Sequence, residues 1–222
     1  MLPMTNGRVL HTLRGAALVF IIRIYNRISE GEAVTLKTAL ILVDIQNDYF
    51  PGGKNELFEP LEAANRARLS LALFRENGWP VFHIRHISKY EGATFFLPDT
   101  LGSQIHQTVA PLENEPVIIK HAPDSFHQTD LKERLDKGGV ARLVICGMMS
   151  HMCIDTTVRR AKGLGYEVLL IHDACTTKDL VWEGEHIPAQ TVHSVYMASL
   201  NGSFAKLTKQ SELYTNIPIK SV

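Results

Sequence analysis

Short, uninterrupted apolar runs alternate with stretches of helical periodicity along most of the chain. Ala39-Leu40-Ile41-Leu42-Val43 passes without a polar break into Asp44. Such a run lacks the in–out alternation of a half-exposed strand and predicts one buried on both faces. Val81-Phe82-His83-Ile84, Val117-Ile118-Ile119, Leu143-Val144-Ile145-Cys146 and Val168-Leu169-Leu170-Ile171 predict four more strands, with a short sixth around Phe204-Ala205-Lys206. A helix is expected to open near Pro60, to carry Leu69, Ala72 and Leu73 on one face and to stop at Gly78. Others are expected over about 128–137, 151–162 and 188–200. Residues 86–115 read as one long loop through Gly92, Pro98, Gly102 and Pro111, a length that in compact domains usually serves function. This alternation predicts an α/β fold, a three-layer α/β/α arrangement around a Rossmann-like, mostly parallel six-stranded sheet. One domain over 35–222 holds all of it.

Composition changes this picture only at the N-terminus. The 222 residues are 45% apolar and 21% charged, which is ordinary for a globular protein and excludes a disordered or fibrous chain. Formal net charge is zero, which argues against a nucleic-acid partner held by bulk electrostatics. The zero is uneven. Residues 1–34 hold four arginines against Glu30 and Glu32, a net of +2, and the remainder is −2. The run Ala16–Ile22 in this basic extension falls well short of the ~20 apolar residues that span a bilayer, so no membrane role is expected of the domain. A targeting segment, an amphipathic surface helix and a mis-assigned start all remain open for 1–34. The three cysteines, Cys146, Cys153 and Cys175, are odd in number and lack C-x-x-C spacing, which points to a reducing, cytoplasmic setting rather than a disulfide scaffold.

Chemistry is sought where open parallel sheets bind ligands, beyond the carboxyl ends of the strands. Asp44 ends the first strand, Lys120 ends the third, and Cys153 follows the turn after the fourth. Acid, base and thiol thus meet at one sheet edge from distant parts of the chain. A thiol nucleophile needs a partner for its proton, and a nearby cation favours the thiolate. With Ser150 as helix cap, Cys153 is expected in the first helical turn, where the helix dipole would depress its pKa further. Each residue also has an ordinary reading: Cys153 as a packed small side chain, Asp44 as a turn cap, Lys120 as a solvated strand end.

The surrounding residues resemble a known family. Leu42-Val43-Asp44-Ile45-Gln46-Asn47-Asp48-Tyr49-Phe50 is similar to the D-x-Q-x-D-F stretch of the isochorismatase-like cysteine hydrolases. Ile119-Lys120-His121-Ala122-Pro123-Asp124-Ser125-Phe126 resembles their K-x-x-x-S-A-F segment. Gly147 to Thr157 resembles the G-x-x-T-x-x-C-V-x-x-T signature with Ser150 for Thr, and His172-Asp173-Ala174 matches the D-A after the fifth strand. The likeness runs over about residues 38–210. It implies an Asp44–Lys120–Cys153 triad, a cis peptide before Met149, and an oxyanion hole from the N–H groups of Met149 and Cys153. It also implies hydrolysis of a C–N bond, amide or ureido, through a thioester, a small-molecule amide-type substrate, and homo-oligomers.

Within the family, isochorismatases proper lack the cysteine, so Cys153 argues against vinyl-ether cleavage. Nicotinamidases carry a metal set built on D-x-H after the second strand. Ile84-Arg85-His86 has no Asp there, and neither metal nor cofactor is expected. Substrate-contact candidates are Gln46, Phe50, His86, Phe95, His121 and Ser150. His83 reads as structural, His106 and His193 as helix-face residues. Three other readings compete: an ester or thioester hydrolase on the same triad, a non-catalytic Rossmann-like module, and a thiol redox protein. No G-x-G-x-x-G follows the first strand, which weighs against the second, and no resolving cysteine lies near Cys153, which weighs against the third.

Overall fold

A computed structural model describes residues 36–217; the expectation for residues 1–34 falls outside them. Five strands lie where the apolar runs place them: β1 Thr38–Val43, β2 Val81–His86, β3 Val117–Lys120, β4 Arg142–Met148 and β5 Glu167–Thr176. The sixth, β8, is Lys206–Thr208, two residues beyond the expected centre. The sheet order is β3-β2-β1-β4-β5-β8, and every pairing is parallel. Helices flank it: α1 Pro60–Glu76, α2 Leu131–Lys137, α3 Asp155–Gly163 and α4 Ala189–Leu200, with a short α5, Leu213–Asn216. The architecture is the expected three-layer α/β/α. All six residues of β1, at the centre, are buried. Among the described residues, no helix is long and apolar enough to cross a membrane.

Of the face expected on α1, Leu73 is buried and Ala72 half-buried, but Leu69 is 45% exposed; Ala63, Ala64, Ala67, Leu71 and Phe74 complete the buried side. Small alanines, rather than the larger leucine, let this helix sit close to the sheet. Pro60 occupies the first turn, Asn77 donates from Nδ2 to the Leu73 carbonyl at the far end, and Trp79 packs edge-on to Phe74. Residues 128–130 precede α2 rather than belonging to it, because Gln128 takes a positive φ of 53°.

The long loop is not shapeless. It folds back through single helical turns at Leu101–Ser103 and Gln107–Val109, and Ile105 bridges to Gln46. A two-stranded ribbon, β6 Leu180–Trp182 with β7 Glu185–Ile187, was not anticipated and holds Trp182 out at 69% exposure. Its two-residue turn needs positive φ at both Glu183 and Gly184, and only the glycine advertised that.

β1 and β4 mark the point where chain direction across the sheet reverses. There Gly147, opposite Val43, has φ +132°, and a Cβ on it would lie 2.0 Å from the Val43 carbonyl oxygen. Gly147→Ala is therefore expected to lower stability by about 3 kcal/mol, read as a lower urea midpoint at unchanged m-value.

At the opposite edge of the sheet, His83 is structural, as expected: its Nε2 lies 3.0 Å from Glu115 Oε2. Burial pushes the Glu115 carboxyl up. Hydrogen bonds from Arg75, the Leu112 N–H and His83, with the arginine charge, outweigh that and hold it at about 2. A carboxyl lowered on folding contributes stability above its ordinary value of 4.5, and that contribution is lost as pH falls toward 2. Glu115→Gln should lower stability at pH 7 and flatten the decline between pH 4.5 and 2, measured by thermal unfolding across that range.

Candidate active site

Three strand ends and one turn build the site. Asp44 follows β1 directly, fully buried, with a left-handed φ of 50°. Lys120 is the last residue of β3, at the sheet edge, with β2 between it and β1. Two strand spacings amount to roughly 9–10 Å, and a long side chain is needed to cross them. Lys120 reaches past His86, its register partner on β2, and sets Nζ 2.8 Å from Asp44 Oδ2. The same nitrogen is 3.1 Å from Cys153 Sγ, 3.3 Å from His86 Nδ1, 2.9 Å from the Ala122 carbonyl oxygen and 3.2 Å from that of Pro123. Lys120 is 1% exposed, so it is no solvated strand end; Cys153, at 5%, is packed, but its sulfur is 3.1 Å from a charged nitrogen.

Cys153 lies in a π-helical turn, Ser150–Ile154, wedged between β4 and α3. Met149 caps this turn without a side-chain hydrogen bond, which corrects the expectation of Ser150 as cap. Instead Ser150 is fully buried and looks the other way, with Oγ donating to the Thr176 carbonyl at 3.2 Å and lying 2.8 Å from His193 Nδ1. The Met148–Met149 peptide is cis, and among the described residues no protein group accepts from the Met149 N–H.

The electrostatics differ from the sequence expectation at the thiol. Burial raises the Cys153 pKa, the Asp44 charge raises it further, and Lys120 lowers it without prevailing. The resting group is the thiol. Burial alone would lower the Lys120 pKa, but the Asp44 charge, with the hydrogen bonds to Asp44 and the sulfur, outweighs it and keeps the ammonium. His86 is pushed down to about 4, chiefly by burial, with Asp44 and Lys120 pulling in opposite directions. It is neutral at pH 7, accepts at Nδ1 from Lys120, and so carries its proton on Nε2.

The other candidates separate into two groups. His86 and Phe95 stand at the site: Phe96 lies 5.9 Å from the His86 ring and 4.9 Å from Phe95. Gln46 supports the site rather than facing it. Its Oε1 accepts from the His86 N–H at 2.7 Å, and its Nε2 donates to the His86 and Ser103 carbonyls at 2.9 and 2.8 Å. Every donor of that amide is committed, and both backbone groups of His86 are clamped. Phe50 is buried, with its ring stacked 3.7 Å from that of His106. His121 is exposed, with Nδ1 on the Ile87 carbonyl.

Three residues escaped the sequence reading. Tyr49 is buried against Phe96 at 4.6 Å, and its phenol is raised well above the ordinary value by burial and then by Cys153, Asp44 and Asp48. Phe96 is buried at φ 55°, pinned by its N–H on Asp48 Oδ2 at 2.6 Å. Asp48 also accepts from the Lys54 N–H, and it holds two loops at the mouth. Its place in the Gln46-Asn47-Asp48-Tyr49 stretch was the available signal.

Comparison with known proteins now bears on this geometry. A family model described as the isochorismatase domain matches residues 38–210. The isochorismatase family protein YddQ of Bacillus subtilis is 52% identical over 170 residues, covering 77% of this chain and 94% of the relative. A streptothricin hydrolase of Streptomyces noursei is 37% identical over 144 residues, 64% of this chain but 50% of that protein. The crystal structure described as an isochorismatase hydrolase from Oleispira antarctica superposes with a TM-score of 0.78 at 44% identity, covering 82% of this chain and 97% of that one. The matched span takes in Asp44, Lys120 and Cys153 together with the whole parallel sheet that gathers them, and the chain belongs to the isochorismatase family of hydrolases.

Proposed function

We propose that this chain is a cysteine hydrolase that cleaves a C–N bond, amide or ureido, of a small molecule through a thioester on Cys153. The observation that carries the reading is the single Lys120 ammonium seated between the Asp44 carboxylate and the Cys153 sulfur, all three buried. The streptothricin hydrolase relative is consistent with hydrolytic chemistry on a small molecule.

Because the thiol is protonated at rest, attack and proton transfer go together. Sγ bonds to the substrate carbonyl carbon while its proton passes to Asp44, which lies with it and His86 inside a 4.8 Å group. The developing oxyanion is received by the N–H groups of Met149 and Cys153, donors that in such holes are each worth ~10²–10³ in rate. Collapse breaks the C–N bond, and Asp44 returns the proton to the departing amine. A water, deprotonated by Asp44, then opens the thioester. The carboxylic acid leaves and the proton goes back to sulfur. Lys120 stays charged throughout and keeps Asp44 oriented. Tyr49, Phe95 and Phe96 form an apolar wall, and neutral His86 offers its Nε2–H to a substrate acceptor.

The test is intact-mass measurement during incubation with a panel of small amides and ureides, esters included as the competing leaving-group class. Wild type should show a transient acyl adduct. Cys153→Ala should lose it, with turnover down by about 10³-fold or more. Hydrolysis that persists in Cys153→Ala overturns the triad reading.

His86 gives a second test on whichever amide wild type turns over. Its neutral state should leave KM flat between pH 5 and 8. His86→Phe should raise KM by up to about tenfold, the worth of one neutral hydrogen bond, with kcat little changed. A kcat loss of the Cys153→Ala size would instead put His86 in the bond-breaking step.

A further inference from the structure

The Lys120 ammonium is surrounded by more acceptors than it has protons. Five atoms lie within 3.3 Å of Nζ: a carboxylate oxygen, a sulfur, an imidazole nitrogen and two carbonyl oxygens. An ammonium has three N–H donors. So many acceptors converging on one buried point describe a cation site, and three of them, Asp44, His86 and Cys153, are the types that bind soft divalent metals. Their donor atoms lie within 4.8 Å of one another. Zinc bonds to sulfur at about 2.3 Å and to nitrogen or oxygen at about 2.0–2.2 Å. A metal at the Nζ position would require each of these donors to close in by only about 1 Å. His86 offers Nδ1, the atom now facing Lys120, and Gln46 already fixes the backbone that carries it.

From this we infer that Asp44, His86 and Cys153 constitute a latent thiolate–imidazole–carboxylate site for a soft divalent cation, and that Lys120 fills it with its own charge. Lys120 thereby has a second task beyond orienting Asp44, which is to keep metal off the nucleophile. Two cations cannot share one buried point, so a metal enters only when the lysine is removed. On entry the thiol proton leaves to solvent as the sulfur–metal bond forms, and a water completes the tetrahedron.

Cobalt(II) is the probe, because thiolate ligation gives it a charge-transfer band and tetrahedral ligation gives it intense visible absorption. The full chain is titrated as wild type, Lys120→Ala and Lys120→Ser, both short enough to vacate the Nζ position. The lysine variants should bind with both absorption features and at least about a hundredfold more tightly than wild type. The bands should vanish in the Lys120→Ala/Cys153→Ser double variant, which separates this site from Cys146 and Cys175. Equal binding by wild type, or a folded Lys120→Ala and Lys120→Ser without a thiolate band, overturns the inference. Should neither lysine variant fold alone, each is refolded with and without zinc: recovery that requires zinc supports the site, and recovery indifferent to it counts against the site. Absorption is read rather than turnover, so failure here leaves the hydrolytic reading standing, and persistence of hydrolysis in Cys153→Ala leaves the metal inference standing.

Discussion

The buried contact between Lys120 and Asp44 is the constraint around which the carboxyl edge of this sheet is organised. Both groups are out of reach of water, and taking two charges out of water costs several kcal/mol each before their attraction and hydrogen bonds offset it. The fold meets that cost locally. The loop after β3 turns two carbonyl oxygens, of Ala122 and Pro123, onto the ammonium, and neutral His86 adds a third lone pair. Asp44 Oδ1 receives no comparable support and has no hydrogen-bond partner among the described residues. An ion pair satisfied on one side only is poor economy for stability. It suits the proton-accepting role proposed for this carboxylate.

Much of the family's sequence pattern can be read as scaffolding for that pair. Thr157, at the end of the cysteine signature, receives the Ser125 N–H and lies 2.8 Å from the Ser125 hydroxyl, so the helix that follows the thiol is tied to the loop that follows the lysine. Asp173 accepts from the Gln210 N–H and faces Arg66, joining β5 to α1 and to the chain's last turns. Gln46 spans β1 and β2 by mimicking a strand neighbour to His86. None of these three touches the sulfur. They fix where it stands relative to the ion pair, and a displacement of an ångström there would undo the chemistry proposed for it.

How much was legible in advance follows from how local each signal is. Continuous apolar runs such as Ala39–Val43, too short for a buried helix, predict strands buried on both faces, and the carboxyl-end rule then places Asp44, Lys120 and Cys153 together without any knowledge of distance. Features set by tertiary packing were less visible. The exposed Leu69 and the buried alanines of α1 shift the expected stripe, though Leu73 stays within it, because close approach to the sheet selects small residues. The π turn at Ser150–Ile154 carries no periodicity of its own, and the ribbon over 180–187 is too short for alternation to declare it. Ser150 resembled a helix cap by type and position, but its hydroxyl is taken by Thr176 and His193, partners 26 and 43 residues away.

The thiol's protonation is where local and global reasoning diverge most, and it decides how the site works. Read locally, a cysteine beside a lysine at a helix start should be a thiolate. In the folded chain, burial disfavours any added charge, and Asp44 already neutralises the lysine that would have stabilised one. A site holding one cation and one anion has no net charge to lend. In the proposed reaction the negative charge of the transition state comes from Asp44 as it takes the thiol proton, and the total charge stays constant while its location moves from carboxylate to oxyanion. Moving charge within a closed, low-dielectric site avoids the solvation cost of creating it there. On that argument the neutral resting state and the buried ion pair are one design: the lysine offsets the burial of the carboxylate, and in the proposed hydrolysis the carboxylate makes the thiol reactive only when a carbonyl is present to receive it.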